Sequence, residues 1–169
     1  MGDRILVAYA TKKGSTREVA EDVAHVIEDA GCFVDVRAAG EVESVEGYSG
    51  VVLGGALYMG RLHRDARRFL QRFRTELAEL PTAVFAMGPG TAEEADVRRS
   101  RAQLERALEA IPELEPRTVA IFGGVVDPAQ LRFPFNRMSA TDARDWGAIR
   151  EWASDVAREL AARSPVRVG

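Results

Sequence analysis

The chain has 169 residues, 46% of them hydrophobic, which is enough for one domain with a substantial core, and 23 Lys and Arg against 26 Asp and Glu leave a formal net charge of −3. So small a net charge creates no strong field for a polyanion and argues against nucleic acid or an anionic membrane surface as a partner. Cys32 is the only cysteine, so no intramolecular disulfide can form; no apolar segment reaches the roughly 18 residues that cross a bilayer; and the N-terminus runs into a strand without a secretory apolar region, which predicts a cytoplasmic protein with at most peripheral membrane contact.

Residues 5–10, Ile-Leu-Val-Ala-Tyr-Ala, read as a buried parallel strand that ends at Ala10 and leads directly into Thr11-Lys12-Lys13-Gly14-Ser15-Thr16. In that loop hydroxyls alternate with a glycine that lets the backbone come close, and the next helix starts with free amides. A phosphate there would meet N–H donors and three hydroxyls, with Lys12 and Lys13 adding charge beside it. The loop is neither G-x-x-x-x-G-K-S/T nor G-x-G-x-x-G, so Walker and dinucleotide modes are excluded. The plainer alternative is a strand-to-helix turn capped by Ser or Thr.

Val19, Ala20, Val23, Val26, Ile27 and Ala30 then share one helical face, and Gly31 stands at the C-terminal cap. Phe33, Val34 and Val36 form a second strand; residues 40–50 offer only Val42 and Val45, enough for about one helical turn. Residues 51–55, Val-Val-Leu-Gly-Gly, make a third buried strand, followed by a loop through Ala56, Leu57, Tyr58, Met59 and Gly60. A third helix spans about residues 65–80, with Phe69, Leu70, Phe73 and Leu77 inward, and Pro81 ends it. Strand four covers residues 83–87 and leads into Gly88-Pro89-Gly90-Thr91. A fourth helix carries Val97, Leu104, Leu108 and Ile111; strand five covers 118–122; and Trp146, Ile149, Trp152, Val156 and Leu160 line a last helix. The domain is expected over residues 1–163, with a short polar tail at 164–169.

Five short apolar strands alternating with helices imply an α/β fold with a parallel sheet covered on both faces, and right-handed crossovers leave few topologies. For strand order 2-1-3-4-5 a ligand binds outside the C-terminal strand ends between strands one and three, where loops 11–16 and 54–60 meet.

The T-x-x-G-x-T spacing of residues 11–16 resembles the flavin mononucleotide (FMN) phosphate loop of the flavodoxin family. Together with residues 54–60 and Phe122-Gly123-Gly124, it makes nearly the whole chain similar to the FMN- and quinone-dependent protoporphyrinogen oxidase group of that family. Its closest echoes are Gly-x-Tyr/Met-Gly followed by His63, and Arg132-Phe133-Pro134-Phe135-Asn136-Arg137-Met138. The resemblance implies a flavodoxin-like three-layer sandwich, a five-stranded parallel sheet of order 2-1-3-4-5, FMN as cofactor, and oxidation of protoporphyrinogen IX in heme biosynthesis, with electrons passed to a quinone or a redox protein. It assigns FMN contacts to Thr11, Lys12, Lys13, Gly14, Ser15, Thr16, Ala56, Leu57, Tyr58, Met59, Gly88, Pro89, Gly90, Thr91, Gly123 and Gly124. Two departures stand out. Only Ser139-Ala140-Thr141 separates Met138 from Asp142, where the group has a longer basic and apolar segment, and the loop at Gly88 lacks the aromatic residue that stacks on the flavin in small electron carriers. The alternatives are an electron-transfer flavodoxin without a substrate of its own and a flavin-free interaction domain on the same scaffold.

Tyr58 is the residue to lie flat against the isoalloxazine. Candidates for proton donation or binding of an anionic tetrapyrrole are His63, Arg132 and Arg137, each with a structural alternative: a helix-start histidine, and packing for a long loop. Most other arginines, including those flanking the third helix, read as solvated faces, though Arg61 and Arg64 near the Tyr58 loop would suit carboxylates. Cys32 reads as a small buried hydrophobe and His25 as a partly exposed helix residue. No metal site, catalytic triad or carboxylate pair is expected, because the flavin ring performs the redox chemistry.

Overall fold

The computed structural model describes residues 2–12, 14–88, 93–126 and 141–161. In chain order these form β1 (Arg4–Ala10), α1 (Ser15–Asp29), β2 (Phe33–Ala38), a 3-10 turn (Ala39–Glu41), β3 (Gly50–Tyr58), β4 (Arg61–Leu62), α2 (Arg64–Arg72), α3 (Arg74–Glu79), β5 (Thr82–Met87), α4 (Glu94–Glu109), β6 (Thr118–Phe122), β7 (Val125–Val126), β8 (Thr141–Asp142) and α5 (Trp146–Ala161). Five strands run parallel in the order β2-β1-β3-β5-β6, β4 adds a short antiparallel edge to β3 to make a six-stranded sheet, and β7 and β8 pair separately as an antiparallel ladder. Counted over the parallel strands alone, this is the predicted 2-1-3-4-5.

Strand alternation divides the core between the sheet's two faces. Ile5, Val7, Val52 and Phe85 point to the layer of α1 and α5, while Leu6, Ala8, Leu53, Val84 and Ala86 point to the layer of α2, α3 and α4. Both faces are covered, which is why the central strands read as unbroken apolar runs.

Three sequence expectations change. The helix predicted over residues 65–80 is two helices, because the backbone departs from helical geometry at Phe73 (φ −105, ψ 19). Phe73 is seated in the core with its ring edge-on to Phe69 at 5.0 Å. Phe69, Phe73 and Leu77 share one face on either side of the break, so periodicity runs straight through it. The helical turn expected within 40–50 is the 3-10 turn at Ala39–Glu41, with Val42 and Val45 buried just beyond it. The third strand continues past Gly55 to Tyr58. Its glycines are small for packing reasons: a Cβ on Gly54 would lie 2.1 Å from the Phe85 ring, and one on Gly55 would lie 2.7 Å from Leu62.

Candidate functional site

The C-terminal ends of the parallel strands lie side by side, with Ala10 paired to Gly55, Ala56 to Met87, and Met87 to Phe122. The order of strands reverses between β1 and β3, so the loop after β1 and the end of β3 border one crevice. The structure brings the two together directly, since the Lys12 ammonium sits 4.9 Å from the centre of the Tyr58 ring.

At the start of α1 the residue at the cap is a glycine, not the Ser or Thr of the plainer alternative. The cap residue is Gly14, in the left-handed region at φ +91, and it offers no side-chain oxygen. A Cβ at Gly14 would touch nothing within 4 Å, so conformation and not space demands the glycine. Without a side-chain cap, the first-turn amides of α1 face outward with the positive end of the helix dipole. Thr11 braces the loop, its Oγ1 accepting the Gly14 N–H at 3.0 Å. Thr16 is fully buried, and its hydroxyl finds no hydrogen-bond partner among the described residues. A buried hydroxyl left unpaired is costly, and an anion at the helix end would satisfy it together with the amides. The residues present therefore fit a phosphate.

The second wall is the β3–β4 hairpin. Tyr58 pairs with Arg61, and the two residues between them, Met59 (φ 51) and Gly60 (φ 79), are both left-handed, as a tight two-residue hairpin turn requires. The turn lifts large apolar side chains into solvent: Tyr58 is 50% exposed and Met59 75% exposed. Ala56 and Leu57 are internal to the hairpin arm, and the Ala56 carbonyl accepts the His63 N–H at 2.8 Å. His63 caps α2, its Nδ1 accepting the Asp65 N–H at 3.0 Å, so this ring nitrogen serves the helix start.

Gly88 closes β5 by donating its N–H to the Phe122 carbonyl at 2.7 Å, and a Cβ on it would crowd Ser100. A Cβ on Gly123 would lie 2.2 Å from the Ala143 carbonyl oxygen, and the Gly124 carbonyl accepts the Ala143 N–H. Backbone approach thus accounts for the glycine at 123. Lys13, Pro89, Gly90, Thr91, Arg132 and Arg137 lie outside the described residues.

Sequence reasoning missed Arg144. Its guanidinium bonds both carboxylate oxygens of Asp142, reaches Glu18 in the first turn of α1, and stacks on Trp146 at 4.9 Å. The Arg144 hydrogen bond holds the Asp142 carboxyl below the usual carboxylate range. Arg144 thereby ties the β7–β8 ladder, next to Gly123 and Gly124, to the helix that follows loop 11–16. No local motif could reveal it, because Glu18 is 126 residues away.

The chain matches a family model described as "Flavodoxin domain" over residues 6–139. Among curated proteins, the protoporphyrinogen IX dehydrogenase (quinone) of Escherichia coli K12 is 28% identical over 86 residues, which cover 50% of this chain and 48% of that protein. The chain thus spans about half the length of the curated relatives it matches. Three solved structures are similar in fold. A flavodoxin of Streptococcus pneumoniae TIGR4 has a TM-score of 0.57 at 19% identity, covering 94% of this chain and 98% of that one. Flavodoxin 2 of Bacillus cereus has 0.59 at 22%, with coverage of 94% and 98%. The Flv1 flavodiiron core of Synechocystis sp. PCC6803 has 0.64 at 16%, covering 94% of this chain and 36% of that one.

Proposed function

Because this chain belongs to the flavodoxin-domain family, we propose that it is an FMN-dependent oxidoreductase that oxidises an anionic tetrapyrrole, protoporphyrinogen IX, and hands the electrons to a quinone or a redox protein. FMN is the cofactor that goes with the family, and the fully buried, unpartnered Thr16 hydroxyl beside an uncapped helix start fits its phosphate. The observation that carries the finer reading is the likeness to the Escherichia coli protoporphyrinogen IX dehydrogenase.

Each residue near the strand ends has a role in this reading. Ser15, Thr16 and the first-turn amides of α1 hold the phosphate, with the helix dipole favouring its charge. Tyr58 supplies a flat apolar surface for the ring at low entropic cost, and Lys12, now on the Tyr58 ring, moves aside toward the phosphate. Bound FMN supplies electron and hydride transfer, while the protein binds it, orients it and controls access. Met59 stands at the exposed tip of the hairpin, where it shields the edge of the bound ring from water. Arg132 and Arg137, interleaved in sequence with Phe133 and Phe135, are the candidates to bind the carboxylates of a flat anionic substrate.

The test is flavin extraction followed by turnover. Purified protein is expected to release a flavin that co-migrates with FMN, and to oxidise protoporphyrinogen with an added quinone faster than its autoxidation. No binding of added FMN at micromolar concentration overturns the cofactor assignment. FMN binding without protoporphyrinogen turnover, together with electron exchange with a protein partner, replaces the enzyme by an electron carrier.

A further inference from the structure

The backbone beside Arg144 is pinned to the end of β6: the Ala143 N–H donates to the Gly124 carbonyl at 3.0 Å, and the Ala143 carbonyl fills the space that a Cβ on Gly123 would need. The guanidinium is fixed in turn. Its Nε and one terminal nitrogen donate to the two oxygens of Asp142 at 2.9 and 2.7 Å, its centre lies 4.9 Å from that of the Trp146 ring, and the side chain is only 12% exposed. The remaining terminal nitrogen is thereby aimed at the Glu18 carboxylate, to which it donates.

Glu18 is the acidic residue in the first turn of α1. Its N–H donates to the Gly14 carbonyl, so its backbone lies about one helical pitch, roughly 5.4 Å, from the uncapped helix start, and its side chain leans back toward that end. A carboxylate there competes with a phosphate for the positive end of the helix dipole, inside the roughly 8 Å over which physiological salt screens a charge. One cation between two carboxylates leaves Glu18, Arg144 and Asp142 with one net negative charge; without Arg144 they would carry two. Joining α1 to α5 does not require this arginine. Arg150 and Asp22 make that tie one turn further along α1, and apolar residues of both helices share one core.

We infer that Arg144 is a positioning residue for phosphate selectivity: by holding and screening Glu18 it keeps the start of α1 receptive to a phosphate dianion, so that the site prefers FMN to riboflavin, the same flavin without the phosphate. The inference rests on the flavin reading of the crevice. Arg144 acts through Glu18 and not on the phosphate itself.

The experiment measures dissociation constants of FMN and riboflavin, by flavin fluorescence, on the full chain carrying E18Q, R144M, both or neither. Charge dictates the order. E18Q is expected to bind FMN about two- to fivefold more tightly than wild type, R144M about two- to fivefold more weakly, and E18Q/R144M within about twofold of wild type. Riboflavin affinity is expected to be the same in all four, and the FMN differences to shrink in 1 M salt, where a charge reaches only about 3 Å. D22N, which removes a carboxylate one turn further from the helix start, is expected to leave the preference for FMN over riboflavin unchanged. A purely structural tie gives another pattern: E18Q weakens both flavins, and E18Q/R144M binds no better than R144M. That pattern, a preference unmoved by E18Q, or a wild type that binds riboflavin as tightly as FMN overturns the proposal. Glu18 is 60% exposed, so E18Q decides the matter even if R144M does not fold. A wild type that binds neither flavin overturns the flavin reading and this inference with it, whereas flavin binding with a preference unmoved by E18Q overturns the role of Arg144 alone.

Discussion

Thr16 carries a hydroxyl that folding strips of water and leaves unpartnered among the described residues, at a cost of about 1–3 kcal/mol. Thr16→Val keeps the shape and removes the orphan. The flavin-free protein is therefore expected to gain stability, with Tm rising by roughly 2–4 °C per kcal/mol. FMN affinity is expected to fall by about tenfold or more, the worth of a charge-assisted hydrogen bond of roughly 1.5–3 kcal/mol. Thermal unfolding without flavin and a flavin-fluorescence titration check the two signs; a fall in both would make the hydroxyl structural. The residue types of loop 11–16 were readable as a candidate anion site because Thr, Gly and Ser in that order after an apolar strand have a shared chemical meaning. Which hydroxyl is buried was not, since Ser15 and Thr16 are separated only by about 100° of helix. His63 shows the same limit: a titratable side chain near a ligand crevice suggests proton transfer, but Nδ1 accepts a helix-cap hydrogen bond. Cys32 is half-buried against the α1–α5 core, not fully buried as its sequence reading had it, and that burial pushes the thiol up and away from reactivity.

The β3–β4 hairpin holds Met59 at φ 51, a region that L side chains enter at a cost of about 1–3 kcal/mol. Asn tolerates this conformation far better. Met59→Asn is accordingly expected to raise the Tm by a few degrees, roughly 2–4 °C per kcal/mol relieved. Calorimetry without flavin measures this, and an unchanged or lower Tm would show that the turn is not strained. The exposed methionine also gives the ring an apolar edge contact that asparagine lacks, so FMN affinity is expected to move the opposite way. From sequence, Gly54 and Gly55 looked like the end of a strand leading to a loop. They are interior strand residues kept small by the Phe85 ring and by Leu62, neighbours that local sequence does not display. The break at Phe73 was hidden for a related reason: an aromatic residue at helical spacing fits one long helix or two short ones equally well, and packing on Phe69 decides.

At the scale of the whole molecule, the layer between the sheet and α5 is organised by Phe85, whose ring lies 5.8 Å from Phe122 and 5.7 Å from Trp152. Trp152 is fixed in turn by its Nε1–H donating to Thr118 Oγ1 at 3.0 Å. Gly54→Ala would place a Cβ 2.1 Å from that ring, and the close-packed layer has no slack to absorb it. Overpacking of this kind costs about 1–3 kcal/mol. The variant is expected to lose several degrees of Tm, and Phe85→Leu in the same chain to recover part of it; a Gly54→Ala protein as stable as wild type would refute the packing account. The sequence by itself determined the alternation of apolar strands with amphipathic helices, hence a covered parallel sheet with the hydroxyl- and glycine-containing loop 11–16 at its switch point, because these follow from side-chain period and from residues adjacent in the chain. Only the tertiary structure decided the uncapped start of α1, the Thr16 hydroxyl left without a partner among the described residues, and the Arg144 tie between Glu18 and Asp142. Each depends on where separate elements come to rest against one another, and that is set by the summed burial of two cores, a quantity no local stretch of residues contains.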